Sequence, residues 1–355
     1  MNSTGLGSYS RNHLAMVSTF EGIQKIIAFT PRIRIYDERL SHPKIYPSVP
    51  TSIWKIAPGL WRRLALGKRA QRIGANIYHG LSAELPFDID RFTGRKILTV
   101  HDVLFKTRPY DYSPLDRTLY DYKLRQALDA ADLVHCISRQ TMSELVTHYH
   151  IRPARCRVIY QSVHPDFYSA SDFRYLVTPP FGRFILSVGT IEPRKNTLSL
   201  LRAIDHLKIP IVLVGRIKKR YEREIYPIYN RLRQNNLLYH ANPKDTNELA
   251  AWYAHASMVV YPSVAEGFGL PPLEAAAAGK VCVTGPSPCL IEASGLPECQ
   301  TSGKTEDLIH TIEKLWNNDF LRNELSAKAY HHALNLTPEK SGYEWMKVYS
   351  SLMSI

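Results

Sequence analysis

The chain has 355 residues, 45% of them hydrophobic and 22% charged, which suits two domains with separate cores and excludes a disordered chain. No apolar run reaches the roughly 18–20 residues that cross a bilayer, and no charged-then-apolar start marks a secretory leader, so a cytoplasmic protein is expected. The formal net charge of +13 is uneven: residues 1–170 hold 24 Lys and Arg against 14 Asp and Glu, whereas residues 171–355 hold 21 against 18. A basic half of this kind predicts an anionic partner surface or a phosphate-bearing substrate.

In chain order, helical periodicity covers 8–20, 61–73, 115–131 and 139–149, with β-rich runs at 25–30, 77–78, 96–101, 133–137 and 157–160 between them. Residues 165–180 mix aromatics, Ser, Asp and Pro-Pro without period, predicting a linker over 166–182. Strand patterns then restart at 184–188, 211–214, 237–239, 258–261 and 281–284, each followed by a helical stretch. The tail from Gly342 carries Tyr343, Trp345, Met346, Val348 and Leu352 at helical spacing. This alternation predicts an α/β chain with parallel sheets: a Rossmann-like domain over 1–165, a second over 183–341 and a closing helix over 342–355. The five cysteines form no C-x-x-C and no zinc spacing, and read as buried, reduced thiols.

Several places along this frame carry chemistry. Residues 54–72 combine Trp54 and Trp61 with six cations and no acid. Leu60, Trp61 and Leu64 share one helical face, so the stretch reads either as an interfacial helix on an anionic membrane or as a domain helix with a basic outside. Gly5 and Gly7 precede a helix expected from about Tyr9; alone, such a pair is an ordinary turn. His79 follows one strand, and His101 with Asp102 ends another, where side chains of an α/β sheet meet ligands. Residues 189–196, Gly-Thr-Ile-Glu-Pro-Arg-Lys-Asn, place Arg194 and Lys195 just after a strand. Cations near a helix start oppose its dipole, a conflict that a bound anion resolves. Finally, residues 261–275 read Tyr-Pro-Ser-Val-Ala-Glu-Gly-Phe-Gly-Leu-Pro-Pro-Leu-Glu-Ala. Gly267 and Gly269 soften a strand-to-helix turn whose free amides attract phosphate or sugar oxygens, and Glu266 and Glu274 stand about two helical turns apart.

The last run resembles the Glu-x7-Glu signature of family 4 (group 1) retaining glycosyltransferases, and 189–196 is similar to the segment of a subgroup in which many members transfer mannose. The resemblance implies the GT-B fold, two Rossmann-like domains facing across a cleft, with nucleotide sugar on the second, acceptor on the first, and the last helix returning to the first. It implies Glu266 and His101 as catalytic residues and Gly5, Gly7, Arg194, Lys195, Gly267, Phe268, Gly269, Leu270 and Glu274 as donor-binding. His79 and Asp102 fall on the acceptor side. Thr190 stands where most members carry Arg, leaving part of that duty to Arg194. No metal and no cofactor are implied, and no Asp-x-Asp metal pair lies near the expected cleft.

GDP-mannose is the first donor expected, with GDP-fucose and UDP- or dTDP-sugars open, and a glycan or lipid-linked saccharide the acceptor. The expected place is the cytoplasm, peripheral on the inner face of the membrane. Family members begin with a strand ahead of the glycine loop, whereas this sequence opens at the loop, so the true start is expected upstream, or the copy is impaired. Three other readings stay open: a phosphorylase or nucleotide-sugar epimerase on the same fold, an inactive partner subunit, and a basic nucleic-acid-binding module. Against the last, the aromatics are not interleaved with cations in any nucleic-acid motif, so no nucleic acid is expected.

Overall fold

In a computed structural model of the protein, residues 5–31 and 41–353 are described. They divide into two compact units, one from Met1–Gln161 with Glu339–Ile355 and one from Ser162–Pro338.

The first unit runs α1 (Gly5–Ser18), β1 (Ile26–Phe29), β2 (Ile45–Ser48), α2 (Pro58–Leu64), α3 (Leu66–Arg72), β3 (Ile77–Gly80), β4 (Arg95–Val100), α4 (Leu104–Thr107), α5 (Pro114–Ala130), β5 (Leu133–Cys136), α6 (Arg139–Tyr149) and β6 (Cys156–Val158). Strands β3 to β6 pair in sequence order, all parallel, while β1 and β2 form a separate parallel pair. Ile97, Leu98, Thr99 and Val100 are fully buried, as expected of a central strand covered on both faces. Ser113 and Ser138 cap α5 and α6 by accepting the backbone N–H three residues on, at 3.1 and 3.0 Å.

Three local expectations are corrected here. The helix expected over 61–73 breaks at Ala65 (φ −132°, ψ −6°) into α2 and α3. Trp61 is not on a free face: it is 1% exposed and meets Phe29 of β1 edge-on at 6.1 Å, since a large apolar indole gains most from burial against another ring. Gly5 and Gly7 sit inside the first turns of α1 rather than in a loop before it, where unsatisfied amides make a glycine inexpensive.

The second unit contains β7 (Ile185–Val188), α7 (Thr197–Leu207), β8 (Ile211–Val214), α8 (Glu222–Gln234), β9 (Leu238–Ala241), α9 (Thr246–His255), β10 (Met258–Tyr261), α10 (Leu270–Ala277), β11 (Cys282–Thr284), α11 (Cys289–Ser294), α12 (Thr305–Trp316) and α13 (Asp319–Ala333). Its five strands pair in parallel in the order β11-β10-β7-β8-β9, so chain order reverses beside β7 and β10. Residues 166–182, which read as a linker, carry 3-10 turns packed on α9: Phe167 is buried against Tyr253, and Arg174 Nη2 donates to Ala254 O at 2.9 Å. The last helix, α14 (Pro338–Met353), belongs mostly to the first unit, where Trp345, Val348 and Tyr349 are buried with Val17, Ile97 and Ile159. Among the described residues no helix is long and apolar enough to cross a membrane.

Candidate active site

The second unit gathers its ionisable side chains at the carboxyl ends of β7 and β10, beside the reversal in strand order, where open α/β sheets take ligands. Glu266 lies five residues past Tyr261 and is 9% exposed. Its Oε1 accepts from Lys195 Nζ at 2.5 Å, Ser263 Oγ at 2.6 Å and the Tyr261 hydroxyl at 2.9 Å; its Oε2 meets Arg194 Nη1 at 2.9 Å. Burial alone would raise the carboxyl's pKa, but the charges of Lys195 and Arg194 with the hydrogen bonds outweigh it and bring it to about 2. Glu266 is therefore a buried carboxylate held in its ionised form by its cations.

Arg194 is committed on three sides. Its Nη1 also donates to Ala265 O at 2.6 Å, and its Nη2 to Glu192 Oε1 at 3.1 Å. Burial opposes its charge, yet Glu266 holds its pKa above the ordinary arginine value. Glu192, 6% exposed, gives its second oxygen to Lys218. Lys195 also donates to the Tyr261 hydroxyl and lies 4.9 Å from that ring's centroid. Burial lowers its pKa while Glu266 acts against the shift. A small pocket opens beside these groups, lined by Ser187, Gly189, Thr190, Ile191, Lys195 and Tyr261 among others.

The turn into α10 needs its glycine. Gly269 has φ +107°, and a Cβ there would stand 2.6 Å from Leu290 Cδ2. The loop is braced from below: Glu266 N–H donates to Ser287 Oγ at 3.3 Å, and Cys289 Sγ donates to Glu266 O at 3.2 Å. On α10, Glu274 Oε2 accepts from the Tyr253 hydroxyl at 2.7 Å. Burial dominates there and lifts the carboxyl to about 7, with Tyr253 opposing.

In the first unit His101 follows β4, donating its Nε2–H to Leu81 O at 2.9 Å. That fixes the tautomer and leaves Nδ1 as an acceptor, which Gln161 Nε2 approaches at 3.4 Å. Tyr9 of α1 packs edge-on to this ring at 4.8 Å. Asp102 Oδ1 accepts from Leu104 N–H at 3.1 Å, at the start of α4.

His79 does not stand alone. His135 Nε2 lies 2.9 Å from Ile159 O and His135 Nδ1 3.1 Å from Thr99 Oγ1; Thr99 Oγ1 is 2.8 Å from His79 Nε2. His79 Nδ1 is 2.8 Å from the Tyr349 hydroxyl, which is 2.8 Å from His13 Nε2. Since a carbonyl only accepts and burial keeps these rings neutral, the direction is forced at every step. His135 donates to Ile159, Thr99 to His135, His79 to Thr99, Tyr349 to His79 and His13 to Tyr349. The chain ends on a bare, buried His13 Nδ1 with no partner among the described residues. Of this set only His79 is legible in the sequence, because the rest come from α1, β4, β5 and α14 with no spacing to connect them.

These features define a two-unit α/β protein with an ionised carboxylate and two cations at the switch point of its second sheet. Two family models match: Glycosyltransferase Family 4 over residues 25–167 and Glycosyl transferases group 1 over 173–332. The chain belongs to the family 4 (group 1) glycosyltransferases, and its fold is GT-B. It is 30% identical over 218 residues to O-antigen chain mannosyltransferase B of Escherichia coli, covering 57% of this chain and 55% of that one. It is 28% identical over 269 residues to the serotype-specific mannosyltransferase WbdA of Escherichia coli, covering 71% of this chain and 33% of that one. The chain thus spans about half or less of the length of these relatives. Among solved structures, sucrose-phosphate synthase from Thermosynechococcus elongatus superposes with a TM-score of 0.79 at 18% identity over 99% of this chain and 94% of that one. Anabaena HepE in complex with UDP-glucose superposes with a TM-score of 0.78 at 16% identity over 99% and 97%.

Proposed function

We propose that the protein transfers a hexose, with retention of anomeric configuration and without a metal, from a nucleotide-diphosphate sugar to a hydroxyl of a glycan or lipid-linked saccharide. The observation that carries this reading is the Glu266 carboxylate, buried yet ionised beside Lys195 at the carboxyl ends of β7 and β10. An anion in that position faces the donor sugar and the positive charge that develops on it as the bond to phosphate breaks. Lys195 and the backbone amides of 267–270 stabilise the departing diphosphate. Glu274 accepts from the ribose hydroxyls.

The first unit takes the acceptor. His101, with its Nδ1 as acceptor, receives a sugar hydroxyl, while Asp102 and His79 shape that side by fixing α4 and the sheet beneath it. GDP-mannose is the first donor to test, supported by the segment 189–196 and by the mannosyltransferases among the relatives. The basic stretch 54–72 docks on an anionic membrane through Ile56, Leu60 and Leu64, all exposed, with Lys55, Lys68 and Arg72 around them.

The test is a panel of GDP-, UDP- and dTDP-sugars scored by thermal stabilisation and then by transfer to a saccharide acceptor in the presence of EDTA. Stabilisation by one donor, with retained configuration in the product, is expected. A protein that no donor stabilises, or a metal-dependent or inverted transfer, would sink the reading.

A further inference from the structure

We propose that Arg216, on the loop after β8, binds the donor's diphosphate; this rests on the donor reading above. Arg194, Lys195 and Lys218 are paired with Glu192 and Glu266, three cations to two carboxylates, so the set keeps an excess of one positive charge. The guanidinium of Arg194 is already taken by Glu192, Glu266 and Ala265 O, which makes it the holder of Glu266 more than a ligand for phosphate. A diphosphate carries more negative charge than this single excess offsets, and needs further positive charge from elsewhere.

The neighbouring loop supplies it. Residues 214–218 are zipped to 189–191: Gly189 N–H donates to Val214 O at 2.8 Å, Ile191 N–H to Arg216 O at 2.9 Å, and Lys218 N–H to Ile191 O at 3.0 Å. Gly215 makes this possible, since at φ +130° a Cβ would stand 2.1 Å from Gly189 O. Arg216 is thereby fixed one backbone hydrogen bond from Ile191, which with Thr190 lines the pocket. Lys218 is held on Glu192. The Arg216 side chain is exposed and has no ion-pair or hydrogen-bond partner among the described residues, in contrast to Arg194, Lys195 and Lys218. A rigidly based arginine with an unoccupied planar fork suits two phosphate oxygens.

The experiment is calorimetric titration of wild type, Arg216→Ala, Arg216→Lys and Lys195→Ala with GDP, UDP and dTDP and with the matching nucleosides. For the diphosphate that wild type binds, Arg216→Ala should weaken binding about tenfold while changing nucleoside affinity less than about twofold. Arg216→Lys should recover part of the loss, and melting without ligand should be unchanged. Unaltered diphosphate affinity in Arg216→Ala, with Lys195→Ala impaired, overturns the proposal and leaves the donor reading standing. Equal loss for diphosphate and nucleoside also overturns it, because the contact would then lie on base or ribose. If wild type binds no nucleoside diphosphate, the donor reading fails and this inference with it.

Discussion

Lys195 Nζ and Glu266 Oε1 stand 2.5 Å apart inside a protein whose other buried charges close around them. Deleting Glu266 takes from Lys195 its paired carboxylate and from Arg194 one of two, whereas Glu266 without Lys195 still keeps Arg194. Glu266→Ala should therefore abolish transfer and also destabilise the fold by about 3–5 kcal/mol, the usual cost of orphaning a buried partner. Glu266→Gln keeps the volume and a hydrogen-bonding oxygen, and should lose activity with a smaller fall in melting temperature. Transfer at the wild-type rate by either variant would contradict the assignment.

Gly269→Ala tests the turn. The new methyl group meets Leu290 Cδ2 at 2.6 Å on a backbone at φ +107°, so both sterics and strain oppose it. A loss of about 1–3 kcal/mol is expected, with donor affinity falling because the amides of 267–270 shift. Chemical denaturation with donor titration measures both.

The buried histidines predict acid sensitivity. His13 and His135 have folded pKa values lowered to about 3, chiefly by burial, against an ordinary 6.5. The unfolded chain binds more protons below 6.5, so the stability they contribute is present above that pH and is lost progressively as pH falls toward 3. Glu274 acts in the opposite sense: raised to about 7 from 4.5, it makes the fold less stable as pH climbs through that interval. Four buried imidazoles shifted downward, His13, His79, His101 and His135, stand against Glu274, so stability rises with pH between 4.5 and 6.5. Melting curves across that range check the slope, and Glu274→Gln should steepen it.

Glu274 also predicts a pH dependence of binding. Its ionised form accepts hydroxyls and its protonated form is half a donor, so nucleoside diphosphate affinity should rise as pH passes through about 7. Glu274→Gln should flatten the curve. A wild-type affinity independent of pH from 6 to 8 would remove Glu274 from the ribose.

Membrane docking predicts that Leu60→Asp with Leu64→Asp releases the protein from phosphatidylglycerol vesicles while leaving its melting temperature nearly unchanged, because both side chains are about half exposed. Cosedimentation with anionic and with neutral vesicles reads the result.

Much of this was legible in sequence, for physical reasons. Parallel strands buried on both faces read as continuous apolar runs, so β7, β8, β10 and β4 announce themselves. The strand β2 stayed hidden because Pro47 interrupts it, which a strand with one neighbour tolerates. Glu266 and Lys195 were visible through their local runs. Tyr261 and Ser263, in the same run, were not singled out, since nothing in the spacing says that their hydroxyls turn toward the carboxylate. Glu192 and Lys218 meet, and Arg216 comes beside Ile191, only because two loops zip together, and no periodicity encodes that.

The histidine row has one more consequence. Its polarity is dictated from a single end, by the oxygen of Ile159, and every hydroxyl and imidazole between there and His13 inherits its orientation from the member before it. Such a series has one ground-state arrangement of protons. Replacing Thr99 with valine would cut it in two and free His79, Tyr349 and His13 to invert together, so a change at the middle of the sheet would be felt at the helix that closes the chain.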